Sequence, residues 1–433
     1  MFHSRPDSQR RRLAWALVAA WTGGVFLTIP FARKIQAFAE GAAGSQGYLV
    51  ALGIVGSAFM AVLLVDAFRP PRIRTFRRLG WLVLLGGVSV WAMRTQLQTP
   101  VEAVHFFEYG ILGLLCFRAW RHHVRDPLVY PSAALSVALA AWADEFLQWL
   151  TPGRYWDFRD IRLNVIAGGL FLLFVAQVVR PPQIQGPVAR RSVRRLCRLA
   201  WLMLFLLGVS VSCTPARVDR VAARIPVLGY LYGKESTMNE FGHRHVDPEI
   251  GTFFSRMTLE ELRQADRGRG AEAGGILARE RALARTSEFQ KKYPVSADPF
   301  LHEVWSHWIR RNHFYATCWK YRESDPERFV DHLTVAAREN QILEKYFSNA
   351  LDAAGGRWNS ERKAQCAAHA DAAAPYASAV GKHLATAATE SELWLFLLAL
   401  AGFVGWGYVR YGRENTARGP ESQGNGSKTT SPP

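Results

Sequence analysis

Three stretches set ionisable side chains inside apolar runs: VEAVHFFEYG at 101–110, ADEFLQW at 143–149 and DIRLNVIAGG at 160–169. In the first, His105, Glu108 and Tyr109 stand at i, i+3 and i+4, on one helical face. In the second, Asp144 and Glu145 are adjacent, and Gln148 follows within one turn of both. In the third, Asp160, Asn164 and Gly168 form a row at intervals of four, and Gly168 with Gly169 would let a neighbouring helix approach closely. The loop TPGRYWDFRD, 151–160, joins the last two stretches. Its Pro152-Gly153 predicts a turn, Arg154 offers a cation that can face the acids, and Asp157 adds a carboxylate. Asp160 suits the start of a helix and is expected to cap it. Charged groups in hydrocarbon are expensive, so they face a bundle interior or a wet cavity. Three chemistries remain open. The set could be a paired network that fixes helix register, a site for the polar head of an amphiphile, or an enzyme centre with Glu145 or His105 as acid or base. Asp144, Glu145, Glu108 and His105 are acceptable metal ligands, but the set is a generic acidic cluster, and no metal or cofactor is expected.

The elements that must carry these groups follow from the apolar runs. The chain has 433 residues, 49% of them apolar, with 53 Lys+Arg against 36 Asp+Glu. A helix needs roughly 20 apolar residues to cross a bilayer. Eight stretches are candidates: Leu13–Pro30, Tyr48–Ala67, Leu79–Met93, which is short and would extend into its flanks or lie at an angle, Val104–Trp120, Ser132–Leu150, Ile161–Val179, Leu196–Cys213 and Leu393–Tyr411. Arginine clusters precede the first, separate the second from the third, the fourth from the fifth and the sixth from the seventh, and follow the eighth. All lie on one side if every span is real, and that side is expected to be the cytoplasm, with both termini inside. The excess of positive charge is thereby accounted for without nucleic acid, and no basic stripe with interleaved aromatics is present. The expected fold is all-α: a polytopic bundle of about eight spans with a mainly helical extracytoplasmic domain. The expected divisions are two N-terminal spans in 1–78, the motif-bearing membrane domain in 79–180, a basic loop and seventh span in 181–213, the extracytoplasmic domain in 214–392, the last span in 393–411 and a disordered cytoplasmic tail in 412–433. On this map all three polar groups fall at the outer ends of their helices and form one outward-facing pocket. No pair of broken helices in matching halves points to a transporter.

The combination His105 and Tyr109, Asp144-Glu145 with Gln148, Pro152-Gly153-Arg154, Asp157 and Asp160, then Asn164 before Gly168, resembles the VanZ family of bacterial multi-span membrane proteins. The resemblance covers about residues 79–179. It implies a protein of the bacterial inner membrane and cell envelope, with a role in antibiotic resistance of the glycopeptide, teicoplanin type. The expected ligand is then an envelope lipid, such as a cell-wall lipid precursor, or the lipoglycopeptide itself. Arg154 would pair with phosphate, and the acids would pair with amino or hydroxyl groups. The alternatives are a membrane enzyme acting on a lipid-linked precursor and a scaffold with a purely structural polar network.

Two motifs in 214–392 suggest zinc and fail on spacing. GHRHVDPE has His243, His245 and Asp247, but Pro248 stands where a further histidine is needed. HEVWSH places His302 and His307 five apart, roughly 140° round a helix, where a zincin needs four. Solvated or structural histidines are expected instead. Residues such as Leu333, Ala336, Ala337, Ile342 and Tyr346 repeat at helical spacing. Cys318 and Cys366 lie in the expected extracytoplasmic domain, where an oxidising compartment would permit a disulfide between them.

Overall fold

The computed structural model describes residues 7–31, 34, 41, 76–96, 102–184, 186–234, 236–285 and 288–412. The second expected span, Tyr48–Ala67, and the expected disordered tail lie outside the described residues. The described chain is mostly helical and divides into two compact units.

The first unit comprises residues 1–151, 157–206 and 397–433. Its helices are α1 (Asp7–Thr28), α2 (Phe76–Gln96), α3 (Glu102–Trp120), α4 (Val129–Leu150), α5 (Phe158–Phe174), most of α6 (Arg190–Ser212), and most of the C-terminal helix Glu390–Gly412. Among the described residues, four segments are long and apolar enough to cross a membrane: Asp7–Phe31, Phe158–Val179, Arg190–Ser212 and Glu390–Tyr411. Helices α2, α3 and α4 have 21, 19 and 22 residues. They are of spanning length but less uniformly apolar. Helix α2 therefore runs beyond the expected Leu79–Met93 at both ends.

Helices α3, α4 and α5 pack on one another, α1 lies against α3 and α4, and α2 lies against α5. Glycine sets the closest approach. A Cβ on Gly113 of α3 would sit 2.9 Å from the Gly168 carbonyl oxygen of α5, and one on Gly168 would sit 2.7 Å from Val137 Cγ1 of α4. Both are closer than real contacts allow, so the α3–α5 crossing depends on the missing side chains. Gly169 does not share this role, because the space beside it is open. In the same unit, Trp201 of α6 stacks on Tyr408 of the C-terminal helix at 5.9 Å and donates its indole N–H to the Ala401 carbonyl at 3.2 Å.

The second unit comprises residues 152–156 and 207–396. Its helices are α7 (Pro215–Arg224), α8 (Leu259–Arg279), α9 (Glu288–Lys292), α10 (Pro299–Cys318), α11 (Pro326–Tyr346), α12 (Ser348–Ala353) and α13 (Ser360–His369). Local signals start them. Thr258 and Glu261 form a capping box on α8, and Asp298-Pro299 and Asp325-Pro326 place a capping carboxylate before a first-turn proline. Phe253, Leu262, Phe289, Leu301, Ile342, Leu343 and Phe347 form the main core. A smaller core holds Cys318, Cys366, Leu333 and Trp358. All five cysteines are free thiols, so Cys318 and Cys366 share a core without being bonded.

One element departs from the all-helical expectation. Strands β1 (His243–Asp247) and β2 (Gly251–Ser255) form an antiparallel hairpin. Gly251 has φ +111°, and a Cβ there would run into the Tyr376 carbonyl oxygen. That carbonyl accepts the Thr252 N–H at 2.8 Å, and Ser378 N–H returns a bond to the Thr252 carbonyl at 2.9 Å. The hairpin thus borrows a third edge from the distant 376–378 segment.

Replacing Gly168 by valine should cost about 1–3 kcal/mol through overpacking and lower the unfolding temperature of the detergent-solubilised chain. Gly169→Ala should leave that temperature unchanged. Equal melting of both variants would remove the packing role assigned to Gly168.

Candidate functional site

The polar site is built on α3, α4 and α5. Adjacent residues on a helix point about 100° apart, so Asp144 and Glu145 meet different neighbours although both are buried, at 0% and 1% exposure. Asp144 faces α3, where Tyr109 donates its hydroxyl to Asp144 Oδ2 at 2.9 Å. Glu145 faces the start of α5, where its Oε1 accepts the Asp157 backbone N–H at 2.7 Å. Asp157, not Asp160, is the N-cap of α5: its Oδ1 accepts the Arg159 N–H at 2.7 Å. The cap is fixed by where the extended backbone turns helical, at Asp157, which leaves Asp160 inside the first turn. There its charge suits the helix dipole, and Arg159 lies 3.7 Å away.

On α3, His105 Nδ1 lies 3.3 Å from Glu108 Oε2, an ion-pair distance without the angle of a hydrogen bond. Both side chains are about one-quarter exposed. The Glu108 carbonyl accepts the Trp21 indole N–H of α1 at 3.0 Å. Asp160 lies within electrostatic reach of both His105 and Glu145. Gln148 is buried one turn beyond Asp144, and Asn164 is buried on α5. Arg154 is partly buried in the 152–156 segment of the second unit.

Three buried acceptors in this set have no partner among the described residues: Asp144 Oδ1, Glu145 Oε2 and Asn164 Oδ1. An unsatisfied buried acceptor costs about 1–3 kcal/mol, more when charged. The arrangement therefore calls for hydrogen-bond donors. Among the described residues, no three His, Cys, Asp or Glu side chains form a metal-ligating group.

The histidine motifs of the second unit have structural work. His245 Nε2 bonds the Met257 carbonyl at 2.9 Å across the base of the hairpin. Asp247 accepts the Glu249 N–H at 2.9 Å, the Tyr346 hydroxyl at 2.6 Å and the Lys345 ammonium at 2.8 Å. Burial opposes its charge, but these donors outweigh burial and hold its pKa at about 2. In HEVWSH, Glu303 accepts Ser255 Oγ at 2.6 Å and the Arg256 N–H at 2.8 Å, which ties the hairpin to α10. Burial pushes His302 down to about 4, with Arg256 and His383 adding to the effect. His307 bonds Glu339 of α11 at 2.5 Å. Glu339 also accepts from Arg310, Tyr376 and Ser378. Burial raises the proton affinity of Glu339, yet these partners hold it below the usual range. The sequence reading missed Glu303 and Glu339 as hubs; a carboxylate inside an otherwise apolar helical face is the signal that marks them.

A helical membrane bundle with a buried carboxylate and tyrosine cluster on three consecutive helices is the class defined by the fold and site. The VanZ/LLP1 family model matches residues 14–180, and over this segment the chain is similar to that family. The match takes in α1 as well as the motif-bearing helices, and so extends further towards the N-terminus than the resemblance carried by the spaced motifs. No curated protein and no solved structure matches the chain.

Its donors hold Asp247 at about 2, below the ordinary carboxylate range. Its paired form thus contributes about 2 kcal/mol above pH 4. That contribution is lost as pH falls through about 2. Thermal melts between pH 5 and pH 2 should show this loss for the native chain and a flatter profile for Asp247→Asn. Parallel profiles would contradict it.

Proposed function

We propose that the chain is a multi-pass, VanZ-type protein of the bacterial inner membrane that engages the head group of an envelope lipid or of a lipoglycopeptide of the teicoplanin class. The observation that carries this reading is a trio of buried acceptors without a partner among the described residues, Asp144 Oδ1, Glu145 Oε2 and Asn164 Oδ1. Ammonium and hydroxyl groups are the donors such a set accepts, and both occur on cell-wall lipid precursors and on glycopeptides. Tyr109 and the Asp157 N–H hold each acid by one oxygen and leave the other to a ligand. The domain 214–392 stands on the outer side in this reading, because the arginine clusters fall in the loops assigned to the cytoplasm.

A charge-assisted hydrogen bond contributes about 1.5–3 kcal/mol. Asp144→Asn and Glu145→Gln, expressed at normal levels, should each weaken binding of co-purifying envelope lipid by about tenfold or more and alter glycopeptide susceptibility. Unchanged lipid retention and susceptibility in both variants would sink the proposal. A loss of expression or thermal stability without a change in binding would instead assign the acids to helix register.

Reporter fusions test the orientation. Alkaline phosphatase joined after Ser296 should be active, and the same enzyme joined after Arg191 should be inactive. The reverse pattern would overturn the map.

A further inference from the structure

At the other end of the first unit, roughly 22 Å along α3 from His105 at 1.5 Å per residue, two adjoining cavities of about 480 Å³ and 370 Å³ share His123 and Arg195. The larger has a wall of Trp15, Trp120, Leu199 and Leu202, with Arg195 and Arg198 beside it. The smaller adds His122 and Arg125.

The wall is held in place. The Trp15 and Trp120 rings meet edge to face at 5.6 Å. Trp15 donates its indole N–H to His123 Nε2 at 3.0 Å, and Trp120 donates its own to Ser136 Oγ at 2.8 Å. Arg195 donates to the His123 carbonyl oxygen, which fixes the guanidinium at the junction of the two cavities. The acid in the lining, Asp126, spends its two oxygens on the Leu128 and Ala189 backbone N–H groups, at 3.0 Å each. Asp7 also acts on His122, together with Arg10, Arg118 and Arg121. Arg125, Arg195 and Arg198 have no carboxylate partner among the described residues; Arg198 reaches only the Tyr408 hydroxyl, at 3.4 Å.

We propose that this cleft binds an anionic phospholipid, with its phosphate against Arg195, Arg198 and Arg125 and its first acyl carbons against Trp15, Trp120 and the two leucines. Two features select a lipid over a free anion. The apolar wall is of no use to inorganic phosphate. It is also continuous with the exposed apolar faces of its own helices, Leu13 and Leu17 on α1 and Leu202 and Phe205 on α6. Basic pockets between membrane helices take such head groups by this combination of charge and apolar surface. The inference uses only the membrane placement of the bundle and is independent of the acidic site at the other end.

The test uses the full-length chain in dodecyl maltoside, titrated with dioleoylphosphatidylglycerol or dioleoylphosphatidylcholine, with retained lipid counted by native mass spectrometry. The anionic lipid should bind about tenfold or more tightly than the zwitterionic one, and Arg195→Gln/Arg198→Gln should abolish the difference. Arg125→Gln, at the rim, should weaken it partially and provides a variant that leaves the Arg195 bond to the backbone intact. Millimolar inorganic phosphate should not displace the lipid. Equal retention of both lipids, unaltered preference in Arg125→Gln and the double variant, or displacement by phosphate would each overturn the proposal. The loss of the anionic-over-zwitterionic preference in the arginine variants is read against the native chain, so it is distinguished from failure of the acidic site, which is read in total envelope-lipid retention.

Discussion

Two adjacent carboxylates buried on one helix constrain the membrane unit more than any other feature. Asp144 and Glu145 cannot turn to the same neighbour, because successive helical residues diverge by about 100°. Each needs a hydrogen-bond partner, since an unpaired buried polar group costs about 1–3 kcal/mol. Tyr109 on α3 answers one, and the backbone N–H of Asp157 at the start of α5 answers the other. Helix α4 is thereby pinned in rotation between its two neighbours. The close approach of α3 and α5 through Gly113 and Gly168 keeps those neighbours where the donors can reach.

The second unit uses the same device in a different setting. Buried carboxylates collect donors from segments far apart in the chain. Glu339 on α11 gathers α10 through His307 and Arg310, and the 376–378 segment through Tyr376 and Ser378. Glu303 gathers the hairpin, and Asp247 gathers the end of α11 through Lys345 and Tyr346. Of the histidines that resemble zinc ligands in spacing, His307 is held by the Glu339 hub and His245 by the Met257 carbonyl. Their spacing misleads because motif matching counts residues along the chain, whereas ligand geometry depends on which side chains converge.

The two ends of the membrane unit are chemically opposite. One end presents acceptors in need of donors. The other presents guanidinium groups with an aromatic wall. That polarity runs along α3, from His105 and Glu108 to Trp120 and the basic turn that follows it.

The sequence by itself determined a good deal. Runs of apolar residues mark the long helices, because a span needs an uninterrupted length of hydrocarbon-compatible side chains. Asp-Pro and Thr-x-x-Glu mark helix starts in the second unit, because capping is satisfied within one turn. The residues of the acidic site could be named together, since ionisable groups in apolar runs are conspicuous and the spaced motifs resemble one family. Only the tertiary structure decided the pairings. Which acid meets Tyr109 and which meets Asp157 depends on the rotation of α4, and that rotation is set by non-local packing at Gly168. Asp157 rather than Asp160 caps α5, because the cap is defined by backbone dihedrals that composition does not specify. The β1–β2 hairpin escaped a reading based on helical periodicity. Its edge is completed by residues more than a hundred positions away, and local spacing carries no record of a partner at that distance.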